Sequence, residues 1–190
     1  MAVQDYATTT ATLALLANAA TVLLVAGLLV GDRLPVLDRL TWWVRDHAFV
    51  LGAGVALTAM AGSLIYSETY DFIPCRYCWF QRIAMYPIVV VLGVAAWARE
   101  ESARLTAGIL ATAGLGVATW HWLIQQKPEW ASESSCNPFA PCSTPYVEEF
   151  GFVTIPWMAG SGFLLIIVLL VSGAVLRDPA PESTQEVVGS

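Results

Sequence analysis

Long apolar runs separated by short polar breaks dominate the chain. They extend from Ala11 to Gly31, His47 to Tyr66, Ile83 to Ala98, Ala103 to Leu123 and Val153 to Leu176. A membrane-spanning helix needs ~20 apolar residues, so each run is a candidate span. The third is the shortest and is expected to continue outward through Trp79. Between the first two runs, Leu34–Val44 interleaves apolar residues and tryptophans with Arg39. That pattern suits a helix or turn lying on the membrane surface, and an ordinary connecting loop is the alternative. After Arg177 the chain turns polar and proline-containing, so 177–190 reads as a disordered tail.

Composition agrees with this pattern. Hydrophobic residues make up 57% of the chain and charged residues 13%, against ~25% charged in soluble domains. The chain is therefore read as an all-α integral membrane protein. A net charge of −6 argues against nucleic acid as a partner. The first run is not read as a signal peptide, because Met1–Thr10 lacks the Lys or Arg of a cationic n-region. It is expected to persist as a helix.

Cations near the span ends set the expected orientation. Arg33, Arg39, Arg45, Arg99, Arg104 and Arg177 fall on one side, and Arg76, Arg82 and Lys127 on the other. The first side is assigned to the cytoplasm, with the C-terminus. The N-terminus and both cysteine-bearing loops are then extracytoplasmic, in a compartment where disulfides persist. Trp79, Trp97, Trp120, Trp122 and Trp157 lie near span ends, as in an aromatic belt. Small residues, such as Gly52, Gly54, Gly108, Gly114 and Gly116, would let helices pack closely in lipid.

The candidate chemistry sits in two cysteine pairs. Cys75 and Cys78 follow Pro74 just where a helix is expected to begin. Cysteines at i and i+3 on a first turn share a face, and the positive end of a helix favours thiolate. A zinc site uses the same spacing but needs two further Cys or His ligands, for which Cys136, Cys142 and His121 are the available candidates. Cys136 and Cys142 bracket a short loop with two prolines, which a disulfide could close. Two structural staples are the plain reading of these pairs. Two dithiols on one membrane face also permit thiol–disulfide exchange between them.

Arg82 lies one turn beyond Cys78. It either snorkels to the surface or stabilises the Cys78 thiolate and an oxygen of a reducible ligand, with Gln81 adding an amide hydrogen bond. His121, near the outer end of the fourth run, is either a polar anchor or a proton shuttle. His47 is read as bland.

The run Cys75-Arg-Tyr-Cys-Trp-Phe-Gln-Arg-Ile-Ala-Met-Tyr-Pro87 resembles the signature of the DsbB/BdbC disulfide bond formation proteins, the BdbC-like branch in particular. Trp120–Gln125 and Pro141–Pro156 are similar to two further stretches of that family, in the same order. The resemblance implies a four-helix redox core over 47–176, preceded by an extra helix and interfacial loop over 1–46. It also implies a thiol:quinone oxidoreductase that re-oxidises an extracytoplasmic thioredoxin-like thiol oxidase of the DsbA/BdbD kind. The acceptor would be a membrane quinone, menaquinone or ubiquinone. By motif position, the partner thiol would attack Cys136, and Cys142 would attack Cys75 and release Cys78. Cys78 would face the quinone, Arg82 would hold a ring oxygen, and His121 would lie near the ring. The extra first helix and the closeness of Cys136 to Cys142 depart from the family pattern. A vitamin K epoxide reductase-like protein is the near alternative, which the Trp79–Arg82 continuation disfavours. A non-enzymatic membrane protein with two staples is the alternative from another class.

Overall fold

The computed structural model describes residues 2–30, 35–130 and 141–175. Cys136, most of the loop that precedes Cys142 and the 177–190 tail lie outside the described residues. The chain folds into helices α1 (Val3–Val30), α2 (Pro35–Asp46), α3 (Ala48–Glu68), α4 (Arg76–Ala98), α5 (Ala103–Gln126) and α6 (Ile155–Val175). A 3₁₀ turn covers Pro128–Trp130, and a small hairpin pairs β1 (Glu148–Glu149) with β2 (Val153–Thr154). All of these helices but α2 are long and apolar enough to cross a membrane.

Helices α3, α4, α5 and α6 pack in a ring, each against the next and α6 back against α3. That is the expected four-helix bundle. Its centre is filled by Ile88, Leu92, Phe163 and Ile166, all fully buried. Small residues set the helix spacing. A methyl on Gly114 would run into the Phe163 ring, and one on Gly52 would press on Leu92. Gly54, Gly108 and Gly116 face open space instead, so the expected close packing holds at only part of the glycines.

Helix α1 stands outside the ring. It packs chiefly on α6, where Leu24 joins Leu165, Val168 and Leu169. It starts eight residues before the apolar run predicted. The hydroxyls of Thr8, Thr9 and Thr12 each donate to the carbonyl four residues back, so this polar segment satisfies its hydroxyls within the helix. Asp5 accepts from the Ala2 N–H at 3.2 Å and so tops the first turn.

Helix α2 makes most of the segment expected as an interfacial helix or turn helical, where an ordinary loop was the alternative. Val44 is buried against α6, while Trp42 and Trp43 are exposed. The tryptophan belt divides. Trp79, Trp97 and Trp120 are exposed, whereas Trp122 and Trp157 pack around Phe152, and Trp122 donates to its carbonyl. That hairpin turns through Phe150 and Gly151, both at positive φ, and it ties the start of α6 to the end of α5.

Candidate functional site

The site is built where α4 begins. After Pro74 the backbone of Cys75 is extended, and Cys75 is the N-cap of α4, not a residue of its first turn. Its sulfur accepts the Cys78 N–H at 3.4 Å, and its carbonyl accepts the Trp79 N–H. Sulfur here does the work an oxygen usually does at a helix N-cap. Both cysteines are free thiols, with their sulfurs 3.0 Å apart.

Helix α5 brings His121 against this pair. Its Nε2 lies 3.6 Å from the Cys75 sulfur and 3.2 Å from the Cys142 carbonyl oxygen. Its Nδ1 lies 3.2 Å from the Gln81 amide nitrogen. With Gln81 donating to Nδ1, the proton resides on Nε2 and faces both the carbonyl and the sulfur. Gln81 thereby sets the tautomer of a ring that is only 2% exposed.

These contacts pull the Cys75 thiol down from 9.0 to about 4. Hydrogen bonding from Cys78 is the largest cause, and His121 adds to it against the opposing effect of burial. The helix-terminus argument therefore favours thiolate at Cys75, the capping residue. Tyr146, nearby, has its phenol pushed up by burial and by the charge of the cysteines. A thiol with a depressed pKa stays ionised until the pH falls to that value. Thiolate absorbance of the reduced protein should accordingly persist through neutral pH and fade only toward pH 4 to 5. In His121→Ala the loss should move to higher pH. A wild-type midpoint near 9.0 would remove the thiolate role from Cys75.

Cys142 is disulfide-bonded and 1% exposed, packed in one cluster with Cys75 and Ile124. The sulfurs of Cys75 and Cys78 and a nitrogen of His121 lie within 4.8 Å of one another.

Arg82 does not snorkel. It is buried and reaches across to α3. Nε donates to Ser63 Oγ at 2.9 Å, and Nη2 donates to the Ser63 carbonyl at 2.8 Å and to Ser67 Oγ at 2.9 Å. Its guanidinium also lies over the Trp79 ring, 5.4 Å from the centroid. Among the described residues no carboxylate pairs with it. The charge is solvated by neutral oxygens and remains uncompensated beside Cys78. Ser63 and Ser67 were not singled out from the sequence. Their signal is the i, i+4 spacing of two hydroxyls in an apolar helix.

Two spaces meet at this point. A small recess is lined by Cys75, Cys78, His121, Pro141 and Tyr146. A cavity of about 490 Å³ lies between α1, α3, α4 and α6, and Cys78, Gln81 and Arg82 line it. Cys78 borders both. His121 borders the recess, beside Cys75, and does not line the cavity. His47 lies at the far end of the bundle, stacked on Trp43.

The family model described as disulfide bond formation protein DsbB matches residues 45–172, which takes in α3, α4, α5 and most of α6. A probable disulfide formation protein of Oceanobacillus iheyensis is 44% identical over 115 residues, covering 60% of this chain and 79% of the relative. Disulfide bond formation protein C of Bacillus subtilis is 41% identical over 116 residues, covering 61% and 84%. A probable disulfide formation protein C 2 of Bacillus anthracis is 34% identical over 135 residues, covering 71% and 96%. No solved structure matches the chain.

Proposed function

The chain belongs to the DsbB family of disulfide bond formation proteins, and on that premise we propose that it is a membrane thiol:quinone oxidoreductase. In this reading it re-oxidises an extracytoplasmic thioredoxin-like dithiol and passes the electron pair inward through its two cysteine pairs. The observation that carries it is the position of Cys78, which borders both the recess beside Cys142 and the cavity that holds Arg82.

The exchange steps follow from thiol chemistry. The fully oxidised protein holds Cys75–Cys78 and Cys136–Cys142 as disulfides. A partner thiolate attacks Cys136 and releases Cys142 as a thiolate. Cys142, packed beside Cys75, attacks it and releases Cys78. The partner's second thiol displaces Cys136, leaving the partner oxidised. Cys136 then attacks Cys142 and restores the outer disulfide. The net result is one electron pair and two protons moved to Cys75 and Cys78.

The residues fit a quinone as the next acceptor. The cavity is within the size range of small-molecule sites. It offers a buried guanidinium that no carboxylate neutralises among the described residues, and a cysteine sulfur one turn away. A quinone, when bound, supplies a sink for two electrons and two protons. Arg82 would hold a ring oxygen, with the Gln81 amide beside it. His121, through Nε2, would hold Cys75 as the thiolate and return a proton to it during exchange.

In the sequence, Arg33, Arg39, Arg45, Arg99, Arg104 and Arg177 flank the far ends of the spans, six cations against Arg76, Arg82 and Lys127 at the cysteine ends. This supports the cysteine end as extracytoplasmic and the far end as cytoplasmic. The test is quinone reduction by the purified protein supplied with a reduced thioredoxin-like dithiol. Reduction should require both components, and failure to reduce any quinone would overturn the reading.

A further inference from the structure

Helix α1 precedes the residues that match the family model, yet it forms part of the cavity. Thr10, Leu13, Ala14 and Ala17 all line it. Their spacing of i, i+3, i+4 and i+7 is a single helical stripe. Packing explains how the stripe faces a void. Along its length α1 is fastened to α6. At the cysteine end it is fastened to α3, where the Tyr6 hydroxyl donates to the Gly62 carbonyl at 3.2 Å and Thr10 bonds Tyr66 at 2.7 Å. Elsewhere it has little contact with α3. The residues that would close the gap are small, namely Ala14, Ala17 and Gly54, and a Cβ added at Gly54 would meet nothing within 4 Å. Without α1 the space would be a groove open to lipid.

The lining is graded. At the cysteine end it offers Thr10, Ser63, Tyr66, Cys78, Gln81 and Arg82. Two to three turns away it offers Ala17, Val50, Leu51, Val55 and Leu165. A ligand whose polar ring meets Arg82 must lay any apolar chain along this second part, against α1. We infer that α1 is the tail-binding wall of the cavity, so that the ring and first tail segment of a prenylated quinone lie between α1 and the four-helix bundle. This deepens the quinone reading above and rests on it.

Two measurements test the wall. In the first, the full-length protein is given a tail-less tetramethyl benzoquinone and a benzoquinone with a long apolar tail. Binding is read by tryptophan quenching, and turnover in parallel. Ala17→Phe places a ring in the apolar part, and Leu16→Phe alters the exposed side of the same turn. Ala17→Phe should weaken binding and raise KM for the tailed quinone about tenfold, while the tail-less one stays within about twofold and Leu16→Phe changes neither. Oxidation of one equivalent of partner dithiol by Ala17→Phe checks that the fold is intact. In the second, wild-type protein is irradiated with a quinone bearing an azide on its tail. The label should fall on the α1 segment around Ala14 and Ala17. Label confined to α3, α4 and α6, or unchanged tailed-quinone binding in Ala17→Phe, overturns the wall. Wild-type protein that binds neither quinone overturns the quinone reading itself, a result distinct from normal binding with α1 unlabelled.

Discussion

Cys78→Ser is expected to lower steady-state quinone reduction by on the order of 10³-fold or more, the scale seen when a reacting group is removed. Serine cannot form a disulfide and cannot pass an electron pair by exchange. The variant should still react once. Its outer disulfide remains available, so one equivalent of partner dithiol is oxidised and the reaction then stops. No Cys75–Cys78 bond exists to accept the pair from Cys142, and nothing reduces the cavity ligand. Cys136→Ser should differ in kind. It should oxidise no partner dithiol, because the site of first attack is gone, while a small dithiol able to reach the recess could still load Cys75 and Cys78. A pre-steady-state count of oxidised partner separates the two variants. Full turnover in both would sink the relay.

The contrast between these variants follows from how the pairs are placed. Cys75 caps α4 and is 3% exposed, Cys142 is 1% exposed beside it, and Cys78 reaches the cavity. In the proposed relay, an electron pair entering at the loop would have a short path of buried sulfurs to the membrane side. In that relay His121 would hold one station as a thiolate through a proton on Nε2, with Gln81 against Nδ1 fixing where that proton sits.

Much of this was legible in the sequence, and the parts that were not have physical causes. The spans follow from apolar run length, and the placement of Cys78 and Arg82 follows from helical spacing, whereas Cys75 caps the helix instead of joining its first turn. The start of α1 was hidden because Thr8, Thr9 and Thr12 look polar in sequence but satisfy their hydroxyls within the helix. The partners of Arg82 were hidden because Ser63 and Ser67 gain meaning only when α3 lies beside α4. His121 was expected near a quinone ring, and its place against Cys75 depends on the register between α4 and α5, which no spacing within one helix encodes. The cavity was the least legible feature. It is made by what is missing, alanines and a glycine where larger side chains would have closed the gap between α1 and α3.

Arg82→Ala is expected to raise the apparent KM for quinone by about 10- to 100-fold, the range that follows from losing a charge-assisted hydrogen bond worth ~1.5–3 kcal/mol. Two roles for this residue must be told apart. Arg82 ties α4 to α3 through Ser63 and Ser67, so its removal could act by loosening the bundle. Ser67→Ala cuts one strand of that tie and keeps the charge. If Arg82 acts on the ligand, Ser67→Ala should leave KM near the wild-type value while Arg82→Ala raises it. Arg82→Lys should fall between them, since an ammonium restores the charge without the planar fork. The first exchange, in which one equivalent of partner dithiol is oxidised, should be unaffected in all three, because it occurs at the outer disulfide. Equal KM values for wild type and Arg82→Ala would reduce Arg82 to a structural tie. Its buried and uncompensated charge, costly to place at this depth, would then have no explanation in the proposed chemistry.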